Sequence, residues 1–478
     1  MRGRDAAVAA AVTVWSLAVA AAFIHVPGYW WDETATIIMA GKPWEGFLAT
    51  LRGVDAVHAA YYAGMRLWTG ALGVSPLATR LPSALAVAGT SLVLLQLGRA
   101  TLSGRAGVIA GVLYPLIPAV AWAAGEARSF ALSALLAAAI VLALVRALAD
   151  PRPWRWALLA VTIALAGWLF VFTVLLLPAA LLLVTPAQWR RHRRALAVSV
   201  TAGLVGVLPL LGYALRQRAQ VGWIPEYGWR DLMWGAAVEQ YFRGSLPVAA
   251  VAWLALLLGA VLVWWSHPDS RRPLLAFAAG VVLPTLVLLA SGPVLGTSYY
   301  WGRYLVFTAP ALAMVAAIVL NRVTTPWAVA TLGVVLVAAS GPTLRERLDP
   351  LSKSSWLFAA ETVAARAEPG DAMIAFSNHM TAARVIHEEL ASLPLLNETI
   401  TPAVAAHEVV PSVGGPLEDV VVPNDVQGVW YFSDAHSRSL GLGNTGADAA
   451  ILAAQGFRTV WASAPTGSQD LVITLLRR

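Results

Sequence analysis

Hydrophobic positions in this chain come in long unbroken runs, where the helix of a soluble protein would interrupt them with polar residues every turn or so. The first run covers 6–26 and follows Arg2 and Arg4. Others lie at about 77–98, 106–124, 128–148, 195–214, 247–265, 273–291, 304–320 and 326–341. A helix needs about 20 mostly apolar residues to cross a bilayer. The run 156–187 is too long for one untilted span and short for two. It predicts two short helices broken near Gly167 to Thr173. The pattern as a whole predicts a polytopic α-helical membrane protein with about 11 transmembrane helices. The first run is followed by polar, aromatic sequence without a small-residue cleavage site, so it reads as an uncleaved helix.

After Gly341 the pattern changes. The short apolar runs 372–376, 428–432 and 471–476 predict buried strands, and 359–367 and 380–390 predict helices. None of these runs is long enough to span. Residues 1–341 are therefore read as a transmembrane module and 342–478 as a separate α/β domain, long enough to hold its own core.

Composition supports this division. Of the 478 residues 59% are hydrophobic and 12% charged, and mean hydropathy is +0.68. Soluble domains are roughly 45–50% apolar and about 25% charged, so disordered, coiled-coil and soluble multidomain classes are excluded. There is no cysteine, which removes disulfides, thiolate metal sites and cysteine nucleophiles. Lysine occurs only at Lys42 and Lys353, a bias that fits a GC-rich bacterial coding sequence.

Net charge is +7, but it is unevenly spread: 342–478 carries −6, and the remainder +13. With the N-terminus inside, the inner segments hold Arg2, Arg4, Arg99, Arg105, Arg146, Arg152, Arg155, Arg190, Arg191, Arg193, Arg194, Arg271, Arg272 and Arg322. Only Asp5, Asp150 and Asp269 stand against them. The arginine bias therefore reports topology, and no nucleic-acid partner is expected. It predicts a multi-pass plasma (inner) membrane protein, with the N-terminus cytoplasmic and the α/β domain extracytoplasmic.

Four segments at the expected outer face carry candidate chemistry. The first is Gly28-Tyr29-Trp30-Trp31-Asp32-Glu33-Thr34. Asp32 and Glu33 suit a helix start, with Asp32 as N-cap and an interfacial helix over 34–50. Equally, a carboxylate beside an apolar wall can serve as general base or hold a metal. The second is Asp55-Ala56-Val57-His58-Ala59-Ala60-Tyr61-Tyr62, where a helix would put Asp55 and His58 on one face. Its bland reading is an interfacial helix with tyrosines in the headgroup layer. The third, Gly125-Glu126-Ala127-Arg128-Ser129-Phe130, sets a carboxylate and a guanidinium against apolar runs. Such placement is costly unless the groups pair or face a cavity, and Arg128 could fork a phosphate. The fourth is Ser298-Tyr299-Tyr300-Trp301-Gly302-Arg303-Tyr304, where Arg303 breaks the positive-inside trend. Either an anionic ligand or snorkelling to headgroups accounts for it. The loop 215–245 adds Arg216, Arg218, Trp223, Glu226, Trp229, Arg230, Glu239 and Arg243. That mixture suits a lid over a lipid and sugar site, or a solvated interfacial helix.

No P-loop, GxGxxG or HExxH pattern stands in a credible place, so nucleotide-driven chemistry is unsupported. A membrane enzyme without a nucleotide needs an activated substrate that arrives in the lipid. A polyprenyl-phosphate sugar meets that need, its tail in the bilayer and its phosphate as leaving group.

In this order the four segments resemble the GT-C glycosyltransferases of the protein O-mannosyltransferase and aminoarabinose-transferase-like group (family 39 type). Asp32-Glu33 matches the acidic pair of that group's first outer loop, and Glu126 to Leu132 matches its Glu-Ala-Arg segment. Arg303-Tyr304 matches a late Arg-Tyr pair. Asp55, His58, Tyr61 and Tyr62 match loosely, with Ala59 and Ala60 where the group has two prolines. Pro76-Leu77-Ala78-Thr79-Arg80-Leu81-Pro82-Ser83-Ala84 is also typical. The resemblance covers roughly 1–320; outer-face C-terminal domains occur in actinobacterial relatives.

The resemblance implies an inverting glycosyltransferase. A sugar, mannose favoured and arabinofuranose the alternative, would move from polyprenyl phosphate to a hydroxyl of a cell-envelope glycan, glycolipid or protein. Asp32 would be the general base, with Glu33 beside it. Arg128, Arg303 and His58 would bind the donor phosphate, and Glu126, Asp55, Tyr61, Tyr62 and Tyr304 would support them. Alternatively, Asp32 and Glu33 would help hold a divalent cation, Mg or Mn. A non-catalytic flippase or binding protein is the reading of another class. A transporter should place charge at the bilayer midplane, whereas here charge gathers at one surface.

Overall fold

In lipid the backbone must satisfy its own hydrogen bonds, which is why each apolar run becomes a helix. A computed structural model of the chain describes residues 2–225, 227–322, 326–376, 378–397, 417–435, 438, 443 and 445–478. Among the described residues, seven helices are long and apolar enough to cross a membrane. They are Gly3–Ala21, Pro76–Thr101, Phe130–Ala149, Pro186–Arg216, Leu246–Ser266, Pro268–Leu295 and Gly302–Arg322. A bent pair, Gly104–Leu116 and Pro118–Ala124, passes the same test as one broken span with a 66° bend. Pro118 causes the break, since it donates no hydrogen bond and holds Ile117 extended. The count of about 11 is not reached by this criterion, because Pro153–Leu169, Val171–Leu181 and Pro326–Ala339 are helical but short. The break expected within 156–187 falls at Phe170, which is extended between the first two of these.

Contacts divide the chain into two units. The first comprises Met1–Ile24, Asp55–Gly64 and Leu77–Leu344, and the second His25–Val54, Met65–Pro76 and Arg345–Arg478.

The first unit is the helical bundle. Its helices Pro76–Thr101 and Gly104–Leu113 meet through glycine. A Cβ on Gly98 would lie 2.4 Å from the Gly107 backbone, and one on Gly107 would lie 2.3 Å from the Leu95 carbonyl oxygen. Small residues let membrane helices approach this closely. Gly107→Val is therefore expected to cost about 1–3 kcal/mol or more, read as a lower unfolding temperature of the protein in detergent. An unchanged unfolding temperature would show that the helices separate at no cost.

The second unit is built on a four-stranded sheet. Strands β1 (Asp371–Ala375), β2 (Gly428–Ser433), β3 (Arg458–Ala462) and β4 (Val472–Arg477) run in the order β1-β2-β4-β3. β1 and β2 are parallel and the other pairs antiparallel, and β3 carries an irregularity between Thr459 and Trp461. Alternation along β1 and β2 buries both faces. Met373, Ala375, Trp430 and Phe432 pack with helix Trp356–Arg366, and Ala372, Ile374, Val429 and Tyr431 pack with Leu452 of helix Thr445–Ala454. Three of the strands fall on the expected apolar runs. β3 was not expected; it is an edge strand with exposed residues.

The first outer segment also belongs to this second unit. Gly28 N–H donates to the Pro350 carbonyl at 2.9 Å, and helix Trp31–Gly41 packs on helix Asn378–Ile386. The single helix expected over 34–50 is instead two, Trp31–Gly41 and Trp44–Gly53. Pro43 separates them, holding Lys42 in an extended conformation (φ −59°, ψ 143°).

Candidate functional site

In the first unit, four of the expected site residues meet in one hydrogen-bonded chain. Arg128 Nη2 lies 3.0 Å from His58 Nε2, and Arg128 Nη1 donates to the Tyr62 hydroxyl at 3.1 Å. That hydroxyl donates in turn to Asp55 Oδ2 at 2.8 Å. A guanidinium can only donate, so His58 Nε2 accepts and the neutral ring carries its proton on Nδ1. Burial, then the Asp55 carboxylate, push the Tyr62 phenol well above its usual range, which keeps it a donor to Asp55. Arg128, His58 and Tyr62 are 7%, 9% and 0% exposed. A fixed, desolvated fork of donors is the arrangement that binds phosphate oxygens bidentately.

The backbone explains how these residues converge. Asp55 and His58 do not share a helix face as expected: Asp55 is left-handed (φ 58°, ψ 20°) and precedes the short 3-10 turn Ala56–His58. That turn leads into helix Ala59–Leu72, which carries Tyr61 and Tyr62 inward. Gln220 Oε1 accepts the Asp55 N–H and Gln217 Oε1 the Ala56 N–H, each at 2.9 Å. Across the site, Gly125 ends one helix and Ser129 starts the next. The Ser83 hydroxyl pins the turn between them by donating to the Glu126 carbonyl at 2.6 Å. Glu126 itself is fully buried. Gln217 and Gln220 are positioning residues that sequence reasoning missed, and Ser83, seen there only as part of a typical run, is a third.

Arg303 and Tyr304 have different surroundings. The Arg303 guanidinium lies over the rings of Trp223 and Trp301, at 5.8 and 5.7 Å from their centroids. Trp223 and Trp301 are themselves in edge contact at 5.3 Å. Tyr304 joins a ring cluster with Phe130, Phe170 and Phe172. The 215–245 loop contains a short helix, Trp229–Trp234, with both tryptophans well exposed, as an interfacial helix would have. Glu226 lies outside the described residues.

In the second unit, Asp32 and Glu33 both lie in the first turn of helix Trp31–Gly41. The N-cap is Trp30, not Asp32, and it makes no side-chain cap bond. The helix starts two residues earlier than expected, and the two carboxylates complement its positive end from within the first turn. Asp32 is partly exposed, whereas Glu33 is completely buried and faces Lys353 Nζ at 3.4 Å. Lys353 is thus a further residue at the acidic motif, supplied from 320 positions along the chain. Removing one partner of a buried ion pair costs about 3–5 kcal/mol. Lys353→Met is expected to lower stability by about that amount, and Glu33→Gln added to it should recover most of the loss. Thermal unfolding of both variants checks this; an unaffected single variant would contradict the pairing.

Among the described residues no three His, Asp or Glu side chains gather as ligands, and the Lys353 ammonium faces Glu33 where a cation would have to compete.

The family model described as dolichyl-phosphate-mannose-protein mannosyltransferase matches residues 60–213. No curated protein matches the sequence. Among solved structures, ArnT from Cupriavidus metallidurans bound to undecaprenyl phosphate superposes with a TM-score of 0.56 at 13% identity, covering 98% of this chain and 97% of that one. The same protein in the apo state gives 0.58 at 14% identity, covering 99% and 98%. Asp32, Glu33 and Arg303 lie outside the matched residues, and the resemblance holds at the level of family and fold: the chain has the GT-C glycosyltransferase fold over nearly its whole length and is similar in sequence to the mannosyltransferase family over residues 60–213.

Proposed function

We infer that this protein is a membrane glycosyltransferase that moves a sugar from a polyprenyl-phosphate donor to a hydroxyl acceptor, with inversion at the anomeric carbon. The observation that carries this reading is the buried Arg128, held by His58 and Tyr62 and backed through Tyr62 by Asp55. Desolvated donors of fixed geometry stabilise charge as it develops on a leaving phosphate. ArnT, which shares the fold, is seen with undecaprenyl phosphate, and a lipid phosphate of that kind is the donor carrier proposed here.

In this mechanism the acceptor hydroxyl gives its proton to the Asp32 carboxylate as its oxygen bonds to the anomeric carbon. The bond from that carbon to the phosphate oxygen breaks, and its electron pair leaves with the phosphate. Arg128 offsets that charge while the neutral His58 ring holds the guanidinium in place, and Glu33 positions the base turn through Lys353. Arg303 is assigned a secondary phosphate contact. The acceptor is a cell-envelope glycan, glycolipid or protein on the outer side of the plasma membrane, with the arginine-rich helix ends inside. Mannose is taken as the sugar, in keeping with the family matched over 60–213.

The test is a parallel assay of the purified protein in lipid with polyprenyl-phosphate mannose and polyprenyl-phosphate arabinose, each labelled in the sugar and offered envelope glycans. The expected result is labelled product from the mannose donor, with polyprenyl phosphate released. Product from the arabinose donor alone would replace the sugar assignment and keep the reaction class. Turnover of neither donor, from protein that stays folded, would overturn the reading.

A further inference from the structure

Within the first unit, at the end of the bundle where helices Leu246–Ser266 and Arg271–Leu295 are joined, lies a groove of about 670 Å³. It is bounded on its other side by the turn between helices Leu177–Leu181 and Pro186–Arg216. The walls include Leu181, Leu182 and Leu275, and the rim carries Trp189, Trp264 and three arginines: Arg190, Arg271 and Arg272. Trp189, Trp264, Leu182 and Leu275 are all well exposed. In a membrane these side chains face lipid.

Arginines at helix ends by themselves report topology. Here they edge a lipid-sized cavity, and the local geometry fixes two of them. Arg271 Nε donates to the Trp264 carbonyl at 2.6 Å, and its guanidinium lies 5.6 Å from the Trp264 ring centroid. Arg272 donates to the Val184 carbonyl, which ties the two sides of the groove together. Asp269, the acidic residue nearest in sequence to Arg271 and Arg272, is paired with Arg322. The segment 186–194 contains four arginines and no acidic residue. The groove therefore sets a surplus of guanidinium charge above an aliphatic wall, at the level where tryptophans sit among headgroups.

We propose that this groove is a binding site for an anionic glycerophospholipid, whose phosphate is held by Arg190 and Arg271 and whose acyl chains lie along Leu181, Leu182 and Leu275. Charge complementarity identifies the occupant: a basic pocket between membrane helices selects an anionic headgroup, and a zwitterionic lipid would bring its own cation against the arginines. The site is independent of the transfer reaction proposed above.

The experiment is native mass spectrometry of the full-length protein in detergent, titrated with phosphatidylglycerol and with phosphatidylcholine of the same acyl chains. The wild type is expected to retain phosphatidylglycerol at least tenfold better than phosphatidylcholine. The double variant R190Q/R271Q should lose that preference, while R193Q/R194Q, which removes the same charge outside the groove, should keep it. R128Q should keep it as well, which separates this site from the donor site. Equal retention of both lipids by the wild type would overturn the proposal, as would an undiminished preference in R190Q/R271Q. Equal losses in R190Q/R271Q and R193Q/R194Q would also overturn it, because general positive charge would then account for the binding.

Discussion

Asp32→Asn is expected to abolish sugar transfer while leaving the protein folded and in the membrane. The substitution keeps the shape of the side chain and removes its ability to take a proton. Loss of a general base costs typically 10²–10⁴-fold in rate, so activity should fall by about that factor. The structural cost is small. Asp32 is partly exposed in the first turn of its helix, where a carboxylate contributes roughly 0.3–1 kcal/mol through the helix dipole. Membranes carrying the variant and supplied with labelled polyprenyl-phosphate sugar would give the measurement. Full activity would remove Asp32 from the mechanism.

Arg128→Gln should have a comparable effect through a different step. Removing one preorganised donor to a developing anion costs about 10²–10³-fold in turnover, and here donor binding should fall as well. Arg128→Lys should not restore function, because a single ammonium cannot reach both His58 Nε2 and the Tyr62 hydroxyl as the guanidinium does. Tyr62→Phe should be intermediate, since it leaves the His58 contact and removes the link to Asp55. Initial rates with donor varied separate these cases. Equal kcat and KM in the wild type and Arg128→Gln would contradict the assignment.

Much of the fold was legible in the sequence for one reason: in lipid a backbone has few ways to satisfy itself, so an apolar run implies a helix. The break near Gly167 to Thr173 was legible from length, since the apolar run is too long for one span, and it falls at the extended Phe170. Strands β1, β2 and β4 were visible as apolar runs that fill a core. β3 was not, because its edge position leaves Arg458, Thr459 and Val460 exposed, so no run of buried apolar residues marks it. The Thr-Val-Trp of β3, following Gly456 at φ 90°, was the available signal.

The site was legible in its residue types and less so in its geometry. Asp55, His58, Tyr62 and Arg128 do come together, but through a left-handed turn at Asp55 that nothing local announces. What imposes that turn is distant: Gln217 and Gln220 hold the backbone N–H groups of Ala56 and Asp55 from 161 and 165 positions away. Lys353 at Glu33 is more remote still, and lies in a segment that composition marks only as the start of an acidic tail. Pairings of this kind are tertiary, and periodicity and motif spacing carry no information about them. Arg303 shows the converse. Its position at a helix start drew attention for the right physical reason, yet the charge is met in part by the faces of Trp223 and Trp301.

In the proposed mechanism Arg128 and its partners hold the phosphate of a polyprenyl carrier. The most direct measurement is the affinity of the purified protein for undecaprenyl phosphate, with wild type, Asp32→Asn and Arg128→Gln compared in the same detergent. Saturable binding in the wild type and in Asp32→Asn, with at least a tenfold loss in Arg128→Gln, is the predicted result. Equal affinity in wild type and Arg128→Gln, from protein with unchanged unfolding behaviour, would contradict it.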